Sequence, residues 1–160
     1  MSSELAKLEA FISKWREPLE AMATVDFSAR MLDGEVTAPT QAADNFSAEN
    51  GFESIGFNWE LLDSHAKPSE VRSALGAFKD AFSLDLVMNS QWLGDVAALE
   101  CGREFIASFK PLQRMFLTNH IIREEGKSEM WNPVTTRTFD WAFVGMDDRK
   151  IAILVVSADD

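Results

Sequence analysis

Six consecutive apolar residues near the C-terminus, Ile151 to Val156, constrain this chain more than any other feature. A strand that is apolar on both faces must lie inside a sheet and be covered on both sides. The preceding segments complete a pattern. Val134 to Val144 alternates strongly, and Gly145, Met146, Asp147 and Asp148 supply a turn into the last strand. Met115 to Arg123 is rich in strand formers and ends at Glu125, Gly126 and Lys127. Together these predict a three-stranded antiparallel meander. In its middle strand Arg137, Phe139, Trp141 and Phe143 share one face, while Thr138, Asp140 and Ala142 share the other.

The N-terminal end predicts what covers the sheet. Leu5, Leu8, Ile12, Trp15, Leu19 and Met22 recur at helical spacing between Glu, Lys, Ser and Arg, which marks an amphipathic helix started by Ser2 or Ser3. Pro18 removes an N–H and crowds the preceding turn, so the helix is expected to end near Arg16 or kink there. A second helix is expected from Pro68, Ser69 and Glu70 to about Phe82, with Val71, Ala74, Leu75 and Phe78 on one face. Leu84, Leu86 and Met88 alternate briefly. Trp92 to Phe109 favours a helix, although Gly94 and Gly102 weaken it and Val96 to Leu99 also suits a buried strand. The expected class is α+β: an N-terminal amphipathic helix and one or two further helices on an antiparallel sheet, in one domain of 160 residues.

Between Arg30 and Lys67 lie thirty-six residues without Lys or Arg, seven of them Asp or Glu, with Phe46, Phe52, Phe57 and Trp59 threaded among them. From Asp26 to Gly51 the periodicity fades and Asp33, Gly34, Pro39, Thr40, Asp44, Asn45, Ser47, Asn50 and Gly51 accumulate, predicting a turn-rich excursion over about 31–52. Ile55, Phe57, Trp59 and Leu61 then alternate as a strand would, directing Phe57 and Trp59 inward and leaving Phe46 and Phe52 as exposed anchors among the acids.

The net charge is −11, and residues 1–65 alone hold twelve acids against four bases. That balance repels nucleic-acid phosphate and anionic lipid, and it permits a basic protein partner. One cysteine, Cys101, precludes an intrachain disulfide and fits a reducing cytoplasm. No run approaches the roughly 18 apolar residues of a membrane span, so the chain reads as soluble and unprocessed.

Catalytic signatures are missing. The eight glycines are scattered, with no phosphate-binding loop, nucleophile elbow or His-Glu-x-x-His, and the lack of tyrosine excludes phenolic acids. His120 and Glu124 have metal-ligand spacing only on a helix, and the strand expected here separates them by roughly 13 Å. No metal or cofactor is therefore assigned. Cys101 beside Arg103 is read as a small buried hydrophobe before a nucleophile.

Two site expectations follow. A small acidic binding or regulatory protein, of inhibitor, immunity or adaptor type, would engage a basic protein surface through Asp33, Glu35, Asp44, Phe46, Glu49, Phe52 and Glu53. Alternatively His120, Arg137, Asp140 and Trp141 would line a small-molecule pocket in a curved sheet, with Asp140 as a base if buried. The helix-first, meander-last order resembles in topology the cone-shaped cystatin-like or PAS-like sheets, a likeness that implies a pocket and no particular chemistry. A homodimer built on the first helix and the C-terminal sheet is the third expectation.

Overall fold

The computed structural model describes residues 3–123 and 130–160. Its element order is a short 3-10 turn (Ser3–Leu5), α1 (Ala6–Glu20), β1 (Thr24–Met31), α2 (Pro39–Glu49), β2 (Glu60–Leu62), α3 (Ala74–Phe82), α4 (Asp95–Ala107), β3 (Met115–Thr118), β4 (Phe139–Met146) and β5 (Lys150–Ala158). The five strands form one antiparallel sheet in the order β1-β5-β4-β3-β2. The expected meander is β3-β4-β5, but β3 stops at Thr118 rather than Arg123 and β4 runs from Phe139 to Met146, so Arg137 and Thr138 precede the strand; the doubly apolar last strand lies between β1 and β4.

Both faces of β5 are covered, as its sequence requires. Ala152, Leu154 and Val156 face a core with Leu8, Phe11 and Trp15 of α1, Phe78 and Phe82 of α3, and Phe105 of α4. Ile151, Ile153 and Val155 face a second core with Ala43 and Phe46 of α2, Trp59 and Val134. The sheet is thus the middle of three layers. Packed rings account for the abundance of phenylalanine. Phe78 stacks on Phe143 with ring centroids 4.1 Å apart, and Phe105 meets Phe11 at 5.3 Å and Phe109 at 5.4 Å.

Ring packing also fixes one glycine. A Cβ on Gly145 of β4 would lie 2.7 Å from Cε2 and Cζ of Phe109 and 3.0 Å from Cε2 of Phe105. Gly145→Ala is expected to destabilise by about 1–3 kcal/mol, because core rings have little room to yield. Urea denaturation measures this, and an unchanged midpoint would show that the Phe109 ring moves aside freely.

Several further expectations of element boundaries need correction. The first helix runs through Pro18 to Glu20, because Pro18 sits on the exposed face near the end, where a lost backbone bond is open to water. The turn-rich excursion over 31–52 contains α2, begun by Pro39 and holding Ala43, Phe46 and Ser47 on its buried side. Residues Asp26 to Met31 belong to β1, which pairs along β5. The second helix starts at Ala74, capped by the Ser73 hydroxyl accepting from Gly76 N at 3.0 Å, so Val71 lies outside it. Leu84 to Met88 is a turn in which the Asp85 carboxylate accepts the backbone N–H groups of Val87, Met88 and Ser90. The ambiguous stretch from Trp92 to Phe109 is helical as α4.

Candidate functional site

The strand expected over Ile55 to Leu61 is reduced to Glu60–Leu62, and the cause is Asp44 on α2. Its carboxylate accepts from Ile55 N at 2.8 Å, from Trp59 Nε1 at 3.1 Å and from the Ser54 hydroxyl. Burial opposes the Asp44 charge, yet these donors prevail and hold its carboxyl below the usual range. The loop is thereby pulled onto α2, and Trp59 is seated in the second core. Gly56 then turns with φ of 62°. Asn58 closes the turn through its N–H and side-chain amide, both donating to Ile55 O, at 3.2 and 3.0 Å.

That turn reverses the expected roles of two rings. Phe46, nominated as an exposed anchor, is 2% exposed because it shares the inner face of α2 with Ala43 and Ser47. Phe57, expected inside, is 86% exposed at the tip of the Gly56 turn. Phe52 is half-buried against the second core. Beside Phe57 in sequence, Leu61 is exposed on the short edge strand β2. Arg72 blunts that edge by donating to Leu61 O at 3.3 Å and to Glu60 at 3.2 Å.

The acids divide into two groups. Glu49 takes a two-pronged bond from Arg30, Nε to Oε2 at 2.6 Å and Nη2 to Oε1 at 3.0 Å, and the Arg30 guanidinium lies 5.2 Å over the Phe46 ring. The Arg30 bond holds the Glu49 carboxyl below its ordinary value and clips α2 to β1. Asp63 accepts from the N–H groups of His65 and Ala66. These carboxylates, with Asp44, shape the fold. Asp33 and Glu35, in the connection to α2, and Glu53, before the Phe57 turn, are exposed.

The other nominated set sits where β3 and β4 part. Asp140 is buried and accepts from Asn119 Nδ2 at 2.7 Å, Val134 N at 3.2 Å, Thr135 N at 3.0 Å and Thr135 Oγ1 at 2.9 Å. Asn119 Oδ1 in turn accepts Ala142 N at 2.7 Å, standing in for the β3 backbone after strand pairing stops at Thr118. His120 stacks on Trp141 with centroids 3.5 Å apart, and Trp131 lies parallel to it at 5.3 Å. A cavity of about 140 Å³ is bordered by Trp141 with Arg72, Ser73, Asp80 and Arg123. Arg137 points elsewhere, to Asp159 at 3.2 Å. Of His120, Arg137, Asp140 and Trp141, only Trp141 borders that cavity. Asp140 thus holds the loop at Val134 and Thr135 in place.

Cys101 is buried on α4, and burial pushes its thiol well above the ordinary value, with Glu104 adding to the rise. Among the described residues no three His, Cys, Asp or Glu side chains converge to hold a metal ion, and Glu124 lies outside them. No helix among the described residues is long and apolar enough to cross a membrane. No protein-family model, curated protein or solved structure matches the chain.

Proposed function

We propose that this chain is a small acidic binding or regulatory protein, of inhibitor, immunity or adaptor type, that engages a basic protein surface with the Phe57 turn as its anchor. What carries this reading is Phe57, 86% exposed within a segment of seven acids and no base. An isolated exposed apolar residue is ordinary, but this ring sits on a turn tied down by Asp44 and Asn58. A pre-ordered aromatic loses little entropy on binding and is the residue type that dominates interface energetics. Asp33, Glu35 and Glu53 supply exposed charge in the same segment, which favours fast, salt-sensitive encounter with a cationic partner. The single buried cysteine suits work in a reducing cytoplasm.

Affinity capture from cell extract on the immobilised protein, at low and high salt and beside the Phe57→Ala variant, tests the proposal. The expected partner is basic, is released as salt rises, and binds Phe57→Ala roughly 30-fold more weakly, as a central aromatic anchor would require. The variant itself is expected to unfold within about 0.5 kcal/mol of the parent, since the ring packs on little. A partner that resists high salt, or that binds the variant equally, overturns the reading.

A further inference from the structure

In a chain with net charge −11, four cations line one groove of about 370 Å³: Lys7 of α1, Lys110 and Arg114 of the α4–β3 connection, and Lys150 at the start of β5. Two of them are already neutralised. Lys150 lies 2.9 Å from Asp147 and 3.8 Å from Glu4, and Lys110 lies 3.3 Å from Asp148. Lys7 and Arg114 form no ion pair among the described residues. Arg114 is the more telling. Its Nε is buried with no hydrogen-bond partner among the described residues, and its Nη1 reaches only Ile106 O, at 3.4 Å. A buried donor on a charged group is costly to leave unmatched, and a guanidinium beside an ammonium is a frequent way of holding phosphate.

We infer that this groove binds a phosphate monoester, with Lys7 and Arg114 on the phosphate oxygens and the organic portion along the exposed Ala107 and Pro111. Four cations against Glu4, which also lines the groove, Asp147 and Asp148 leave a net positive charge there, and the groove is larger than a bare phosphate needs. A soluble ester is the source, because the overall negative charge repels an anionic bilayer. This site is formed by elements other than the Phe57 turn and is independent of the function proposed for it.

Amide NMR of the full chain at constant ionic strength, titrated with inorganic phosphate and then phenyl phosphate, tests the inference. Saturable shifts are expected at Lys7, around Ser108 to Arg114 and at Lys150, with phenyl phosphate the tighter ligand. Lys7→Gln and Arg114→Gln are each expected to weaken binding about tenfold, the scale of one charge-assisted contact. Lys7 is exposed, so its variant reads binding even if loss of Arg114 perturbs the fold. Shifts that never saturate, that chloride reproduces, or that both variants leave unchanged overturn the site. Lys7-dependent pelleting with phosphatidate vesicles, without binding of phenyl phosphate, overturns the soluble source.

Discussion

Asp140→Ala is expected to destabilise the protein by about 4 kcal/mol, because it strands several buried donors at once. For a chain of this size that corresponds to a fall of about 10 °C in the midpoint of thermal unfolding. The groups losing this partner would be the N–H groups of Val134 and Thr135, the Thr135 hydroxyl and one N–H of Asn119 Nδ2, which keeps its bond to Asn132 O at 3.0 Å. Asparagine is expected to recover less than half of the loss. Its amide NH₂ would point at donors, and Asn119 cannot rotate to offer its oxygen, which is committed to Ala142 N. Calorimetry on both variants checks this. An Asp140→Asn protein as stable as the parent would mean that the loop re-pairs, and that the carboxylate is dispensable for structure.

Sequence reasoning read Asp140 as a potential base because it saw a carboxylate between apolar neighbours. It could not see that the donors satisfying it come from residues 119, 134 and 135, joined to it only by the fold. By contrast the β3-β4-β5 meander was legible, since an uninterrupted period of two admits few alternatives and β5 had to be enclosed. The first helix was legible for the same reason at period 3.6. In α2 only Ala43, Phe46 and Ser47 are buried, and Asp44 and Asn45 within it, with Asn50 and Gly51 just after it, favour turns on their own. Its helix follows from tertiary packing on the second face of the sheet. That omission misplaced the aromatic anchor. Without that helix Phe46 reads as exposed, and Phe57 reads as buried because Ile55, Phe57, Trp59 and Leu61 imitate a strand. The imitation fails at Ile55, whose N–H goes to Asp44 rather than to a neighbouring strand. The acidity of the candidate surface was thus readable from residue types, but its geometry depended on one long-range hydrogen-bonded aspartate.

Asp147 performs the same service at the β4–β5 turn and carries the other large expected effect. Its carboxylate accepts from Arg149 N at 2.8 Å, Lys150 N at 3.0 Å and Lys110 N at 3.0 Å, and it pairs with the buried Lys150 ammonium at 2.9 Å. Asp147→Ala is expected to cost about 3–5 kcal/mol, because it leaves the buried Lys150 with Glu4, at 3.8 Å, as its one remaining carboxylate among the described residues. Lys150→Met is expected to cost well under half of that, since Asp147 keeps all three backbone donors and the methionine fills the volume beside Phe109. Equal losses in the two variants would assign the stabilisation to the ion pair instead of the turn.

Acid pH separates these contributions further. Burial raises the cost of charging Asp147, but the Lys110 backbone bond, the Lys150 ammonium and the turn N–H groups outweigh it, so its carboxyl lies below the ordinary value. A carboxyl depressed in the folded state contributes stability that is present above its unfolded pKa, about 4, and is lost as pH falls through the folded value. Asp44 and Asp85 are shifted in the same direction, so the parent's unfolding free energy is expected to fall steeply below about pH 4. Urea titrations between pH 7 and pH 2.5 should show a shallower fall for Asp147→Asn than for the parent. Parallel curves would mean that Asp147 titrates alike folded and unfolded, and that its donors do not act on the charge.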